Sequence, residues 1–263
     1  MQRFFVWPEQ IADGYVRIGG DDYTHIRNAL RMRAGEAFMV SVQAGDSREM
    51  TSGEYYCILE GFDPERLEVV AKIAYFQESK QELPSEITLY QGLPKSEKME
   101  FIIQKAVELG AVRIVPVAMK RCVVKLEADR KDKKTSRWQA IAESAAKQCG
   151  RARIPEVSGV LSYAEAVREA SAADVFLVPY ENEKGMAETR RIVSQIAPGQ
   201  KIAMMIGPEG GFDEDEIRLA KEAGGHPISL GKRILRTETA GMCLLSVLMF
   251  YLEGGLPSDG AID

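Results

Sequence analysis

The chain is 263 residues long, 45% hydrophobic and 28% charged, with a formal net charge of −5; that is enough for one large globular domain or two modest ones. No apolar run reaches the roughly 20 residues needed to span a bilayer, and the opening MQRFFVWPEQ lacks the basic-then-apolar order of a secretory signal. Four scattered cysteines and two histidines argue against a disulfide framework or a metal centre, so the expectation is a cytoplasmic protein with reduced thiols, no metal and no membrane contact. The first seventy or so residues read as short strands. GYVRIGG alternates and ends on glycines, and EAFMVSVQAG, GEYYCILEGF and RLEVVAKIAYF are β-rich runs between turn residues. One helical insert, DDYTHIRNALRM, loosely groups Ile26, Leu30 and Met32. The pattern predicts a small β-barrel with one helix. The polar, proline-bearing QESKQELPSE predicts a domain boundary within 73–85.

Strands and helices then alternate. EITLYQGL is a predicted strand, and SEKMEFIIQKAVELG a helix with Ser96 as N-cap and Gly110 past its end. RIVPVAM is a strand, KTSRWQAIAESAAKQCG a helix closed by Gly150, DVFLVPY a strand, MAETRRIVSQIA a helix and KIAMMIGP a strand. EDEIRLAKEAGG is a helix, HPISLG a short strand, and TETAGMCLLSVLMFYLEGG a long apolar final helix. Such alternation predicts an α/β domain with a largely parallel sheet covered on both faces. The charge is uneven along it: Lys95 to Arg153 holds 15 Lys and Arg against 7 Asp and Glu, a net of +8 that leaves −13 elsewhere. A basic stretch on an acidic protein suggests a dedicated anionic partner, although solvated helix faces give the same pattern.

The stretch MMIGPEGGFDEDE, Met204 to Glu216, leaves a strand through a proline and two glycines and runs into acid. A glycine-rich turn after a strand suggests a phosphate cradle, yet this one matches neither G-x-G-x-x-G nor G-x-x-x-x-G-K-[ST] and holds no lysine. The turn in YQGLPKSEKME has a single glycine where a dinucleotide site needs several, and no G-x-S-x-G elbow occurs. Asp213 with Glu216 three residues on reads as a capping box. Pro208-Glu209-Gly210-Gly211 combines a fixed turn with backbone bare of side chains, which suits close approach by a ligand. In LGKRILRTETAG, Leu230 to Gly241, the cations Lys232, Arg233 and Arg236 precede an apolar helix with Thr237 as expected N-cap. Cations there oppose the helix dipole, a local conflict typical of functional sites, unless nearby acids pair with them.

Together these stretches resemble one family. QGLPKSEKMEFIIQKAVELG, AAKQCGRARIPEV, IGPEGGF and LGKRILRTETA are similar to the RsmE family of SPOUT methyltransferases. RFF (Arg3–Phe5) and HIRNALRMRAGE (His25–Glu36) resemble that family's PUA-like RNA-binding barrel. The similarity covers nearly the whole chain apart from the tail, and the two C-terminal motifs are specific in combination. It implies an α/β fold class: a PUA-like β-barrel over 1–73, a linker over 74–84, a SPOUT domain with a deep trefoil knot over 85–254, and a mobile tail over 255–263. A knot would be an exception to the rule against threaded chains. It also implies a homodimer with the site near its interface, S-adenosyl-L-methionine as cofactor, and methylation of N3 of a specific uridine in small-subunit (16S) ribosomal RNA, with the 30S subunit as partner.

The cofactor carries no phosphate, which accounts for the missing lysine. Its adenine wants backbone partners between apolar walls. Leu230, Gly231, Ile234 and Leu235 would supply them, facing Ile206, Gly207, Pro208, Glu209 and Gly210, with Pro179 and Thr239 completing the set. Glu209 has two open roles, against the cofactor's positive charges or against a loop amide. Arg236 is the catalytic candidate, either stabilising a uridinate or holding the target phosphate; the general base is unassigned. Lys95, Lys98, Lys105, Arg121, Lys147, Arg151 and Arg153 would bind RNA phosphates, extended by Arg3, Arg27 and Arg31, while His25 reads as structural. The target base would be unpaired or pulled from its stack. Two alternatives stay open: an enzyme acting on transfer RNA or large-subunit RNA, and a non-catalytic assembly factor.

Overall fold

The structure is a computed structural model and describes residues 1–43, 53–124 and 128–254; the expected tail over 255–263 lies outside them. The chain divides into two units, Met1–Glu82 with Ala146–Ile154, and Leu83–Ala145 with the residues from Pro155 on.

In the first unit, alternating apolar residues build β1 (Arg3–Val6), β2 (Ile11–Ala12), β3 (Tyr15–Ile18), β4 (Ala37–Val42), β5 (Gly53–Asp63) and β6 (Glu68–Glu78). They form one curled sheet in the order β1-β4-β5-β6-β3-β2, parallel at β1–β4 and antiparallel elsewhere. Period-2 alternation sends Phe4, Val6, Phe38, Val40, Cys57, Leu59, Val69 and Ala71 into one core. Register shifts in the β5–β6 hairpin near Cys57 and Gly61 bend it. The helical insert is α1 (Gly20–Thr24) followed by a π-helical turn, His25–Ala29, which buries Ile26. The strand β6 runs five residues beyond 73, so part of the expected linker is sheet. Unforeseen is the return of Ala146–Ile154 to this unit. Gln43 ties it in, donating to Ala152 O (3.3 Å) and accepting from Ile154 N (3.0 Å).

The second unit contains β7 (Glu86–Gly92), α2 (Lys98–Glu108), β8 (Arg113–Ala118), α3 (Ala128–Cys149, entering the first unit at its last turn), β9 (Glu156–Val157), β10 (Leu161–Ser162), α4 (Tyr163–Ala170), β11 (Val175–Pro179), α5 (Ala187–Val193), β12 (Lys201–Ile206), α6 (Glu214–Glu222), β13 (His226–Ile228) and α7 (Thr237–Leu252). Every strand pair is parallel, in the order β10-β8-β7-β12-β11-β13 with β9 also on β8. Strand residues are buried on both faces, as the unbroken apolar runs predict. Tyr90, Val115, Phe176, Ala203 and Met205 meet α4 and α6. On the opposite face Leu89, Ile114, Leu177, Ile202 and Met204 are fully buried, while α2 packs on α7 and α7 on β12. Each such side chain contributes roughly 1.5–3 kcal/mol.

One expected cap needs correction, and one helix was not expected. Ser96 does not cap α2: it sits at φ +57°, and Glu97 occupies the cap without a side-chain bond. The preceding turn is held from outside, by a carboxylate on the Lys95 amide. The unexpected helix is α4, although Ser162 and Glu165 spell its capping box.

Candidate cofactor cavity

The strands β12, β11 and β13 are neighbours, and their carboxyl-end loops open onto one cavity of about 470 Å³. Crevices at the carboxyl ends of parallel strands are where such sheets bind ligands, and the volume lies within the roughly 300–1,000 Å³ of small-molecule sites. One wall is Ile206–Phe212, another Ser229–Thr237, and the third runs from Pro179 to Glu183; Lys98 and Ala240 close it. Ile206, Gly207 and Pro208 are buried, whereas Ile234 on the rim is 87% exposed.

Close backbone contact shapes the floor. A Cβ on Gly92 would lie 2.7 Å from Pro208 N, so only glycine lets the end of β7 pass beneath the proline turn. Gly211 has φ +68°, and a Cβ there would stand 2.6 Å from a Glu181 carboxylate oxygen. Buried Gln91 donates from Nε2 to Thr237 Oγ1 (2.9 Å), which in turn donates to Gly207 O (2.6 Å). The ends of β7 and α7 are thereby tied to the glycine loop. Thr237 is consequently the first residue of α7 and not its N-cap. Arg236 holds the cap position in extended conformation, with no side-chain cap bond.

Glu209 takes the loop-amide role and adds an ammonium partner. Its carboxylate accepts from Lys95 N (3.0 and 3.3 Å) and lies 3.2 Å from Lys98 Nζ. Partial burial acts to raise its pKa, but the Lys95 and Glu209 backbone amides and the Lys98 ammonium hold it below the usual carboxylate value. Lys98 also lies 3.2 Å from Glu238 at the start of α7. Its two carboxylate partners, Glu209 foremost, raise its pKa. The acids after the loop cap α6 as expected: Asp213 accepts from Asp215 N and Glu216 from Asp213 N. Lys120 Nζ at 2.8 Å keeps the Asp213 carboxyl below its ordinary pKa.

Of the residues assigned to the cofactor from sequence, Pro179, Ile206, Gly207, Pro208, Glu209, Gly210, Leu230, Gly231, Ile234 and Leu235 line the cavity, as does Arg236. Thr239 does not. On α7 it is Thr237 and Ala240, three residues apart, that face the cavity, and about 100° per residue turns Thr239 away from them. Among the lining residues not assigned to the cofactor from sequence are Glu181 and Phe212; the acidic run ENE after a strand end was the available signal for the first.

The cations assigned to RNA do not form one set. In the second unit, Lys95 is exposed, Lys98 lines the cavity, Lys105 pairs with Glu108 (2.7 Å), and Arg121 donates to Gly210 O (3.2 Å). In the first, Arg31 and Arg153 are exposed. Arg3 engages Glu54 and Gly150 O, Arg27 stacks over Tyr23 and Phe62, and Lys147 lies 3.4 Å from Asp22. Arg151 is a correction: its side chain is 4% exposed against Glu82, so it braces the unit and does not face a phosphate.

The family described as RNA methyltransferase domain matches residues 81–249. The ribosomal RNA small subunit methyltransferase E of Bacillus subtilis is 34% identical over 259 residues, 96% of this chain and 98% of its own. That of Synechocystis is 30% identical over 251 residues, 95% of this chain and 78% of its own. A crystal structure of ribosomal RNA small subunit methyltransferase E from Neisseria gonorrhoeae, bound to S-adenosyl methionine, matches with a TM-score of 0.76 at 32% identity, covering 95% of this chain and 98% of that one.

Proposed function

The chain belongs to the RsmE family of RNA methyltransferases, and from that premise we propose that it moves a methyl group from S-adenosylmethionine to N3 of a specific uridine in small-subunit (16S) ribosomal RNA. The observation that carries the proposal is the cavity: the two family-like loops, Ile206–Phe212 and Ser229–Thr237, face each other across it. The residues present fit the cofactor. Ile206, Leu230 and Leu235 offer apolar walls, Gly207, Gly210 and Gly231 expose backbone for the adenine, and no phosphate-binding lysine loop is needed.

The cofactor supplies an electrophilic methyl group; the protein must supply position and charge. Uridine N3–H is a weak acid and has to lose its proton for N3 to attack. Arg236, exposed on the cavity rim with no side-chain hydrogen bond or ion pair among the described residues, is suited to stabilise the uridinate or to hold the target phosphate. Lys95, Arg121 and Arg153 offer exposed positive charge to the RNA backbone.

The finer architecture belongs to the same proposal. The curled sheet of the first unit serves as a PUA-like RNA-binding barrel, and the parallel-sheet unit as a SPOUT domain whose terminal segment is knotted. The enzyme acts as a homodimer. Exposed Val247 and Phe250, one turn apart on α7, and Phe101 on the adjacent α2 favour a self-association surface. Among the described residues no helix is long and apolar enough to cross a membrane.

The deciding experiment offers labelled cofactor with free 16S RNA, 30S subunits and transfer RNA side by side, followed by nucleoside mass spectrometry. N3-methyluridine in the small-subunit RNA is the expected product. Label on transfer RNA or on a ribose would overturn the substrate assignment. Absence of both transfer and cofactor binding would favour a non-catalytic assembly factor.

A further inference from the structure

The charges around the cavity are not balanced locally. Three carboxylates line it, those of Glu181, Glu183 and Glu209. Glu209 is neutralised by Lys98 at 3.2 Å, and Glu183 lies 3.5 Å from Lys221. Glu181 forms no hydrogen bond or ion pair among the described residues. Its carboxylate lies over the glycine turn, with Oε1 2.6 Å from where a Gly211 Cβ would be. A ligand resting on the backbone of Gly210 and Gly211 therefore meets this anion directly. Across the cavity, Lys232, Arg233 and Arg236 line the β13–α7 loop, and no ion pair engages them among the described residues. The cavity is thus bipolar, anionic beside β11 and cationic beside β13.

A bipolar cavity suits a zwitterion. The amino-acid end of S-adenosylmethionine carries an ammonium and a carboxylate on one carbon, whereas its adenosine part is uncharged. Glu209 is the other obvious anion, but its charge is already committed to Lys98 and the Lys95 amide. Resting on the cofactor assignment above, we propose that Glu181 is the counter-charge for the ammonium of the cofactor's amino-acid end. A charge-assisted hydrogen bond of this kind is stronger than a neutral one and fixes which end of the ligand enters beside β11.

Calorimetry separates this proposal from the reading it rests on. Wild-type protein and Glu181→Gln are each titrated with S-adenosylmethionine, S-adenosylhomocysteine and 5′-methylthioadenosine, which lacks the amino-acid end. Wild-type protein that binds none of the three would remove the cofactor assignment itself. With wild-type binding intact, Glu181→Gln is expected to weaken the first two by about tenfold each and to leave the third unchanged. Glu181→Asp, which keeps the charge, should recover part of the loss. Three outcomes would each overturn the role of Glu181: no change with any ligand, equal weakening of methylthioadenosine, or weakening confined to the sulfonium compound. A thermal melt matching wild type shows that the Gln variant folds.

Discussion

At the scale of single residues, Glu209 and Thr237 are read differently from their sequence neighbourhoods alone. Glu209 joins the glycine loop to the Lys95 amide and the Lys98 ammonium. Its side chain is a quarter exposed, so solvent screens the pair. Glu209→Gln should therefore cost only about 1 kcal/mol of stability, measured by urea unfolding. The sign with pH follows from the lowered pKa. A depressed carboxylate contributes stability that is fully present above its unfolded pKa and lost as pH falls through its folded value. The stability curves of wild type and Glu209→Gln should then lie apart at neutral pH and converge in acid below the ordinary carboxylate range. Curves that stay parallel into acid would show that Glu209 has no linked charge partner. Thr237 is buried and uses its hydroxyl as both donor and acceptor. Thr237→Val leaves Gln91 Nε2 and Gly207 O short of partners, for a loss of about 2 kcal/mol. Because Gly207 lines the cavity, cofactor affinity by calorimetry should fall with it; unchanged affinity would detach this tie from the site.

At the scale of elements, the second unit follows the rule that local signals hold where packing agrees with them. The capping box on α6 was legible because Asp213 and Glu216 act within one turn. The cap on α2 was not, because its turn is held by Glu209 from 114 residues away. The final helix, α7, contains Gly241 within its span. A Cβ there would meet Ile206 Cγ1 at 3.8 Å and Gln91 Oε1 at 3.9 Å, ordinary contact distances. Gly241→Ala is therefore expected to stabilise the protein by about 0.5–1 kcal/mol through helix propensity. A fall in melting temperature would mean that α7 and β12 are packed more tightly than these distances allow. Gly92 is the contrasting case, since its Cβ would collide with Pro208 N.

At the scale of the whole molecule, the basic stretch from Lys95 to Arg153 is divided between the two units, and within the first unit its cations differ in burial. Arg151 is buried against Glu82, whereas Arg153, two residues on, is exposed. Arg151→Met should destabilise the protein by about 3 kcal/mol, because Glu82 is left with an unpaired charge. It should leave the salt dependence of RNA binding unchanged. Arg153→Met should do the reverse, lowering the slope of log affinity against log salt by about 1. Both slopes come from filter binding across ionic strength, and equal effects would reinstate Arg151 as a phosphate contact. Phe250 is 53% exposed on α7. If that face is the self-association surface, Phe250→Asp should shift the protein from dimer to monomer in sedimentation; a monomeric wild type would remove the dimer.

The sequence by itself determined the alternating strands and helices, the covered parallel sheet, the two cavity loops and the family. Those depend on periodicity, caps and contiguous motifs, which are local properties of the chain. It also carried most of the cavity lining, because IGPEGG and LGKRILR each occupy one loop. Only the tertiary structure decided that Ala146–Ile154 returns to the first unit, that Arg151 is internal, that Glu209 is already paired and that Glu181, among the described residues, is not. Whether a charge is neutralised depends on a partner brought within about 4 Å by the fold, and no spacing along the chain encodes that distance.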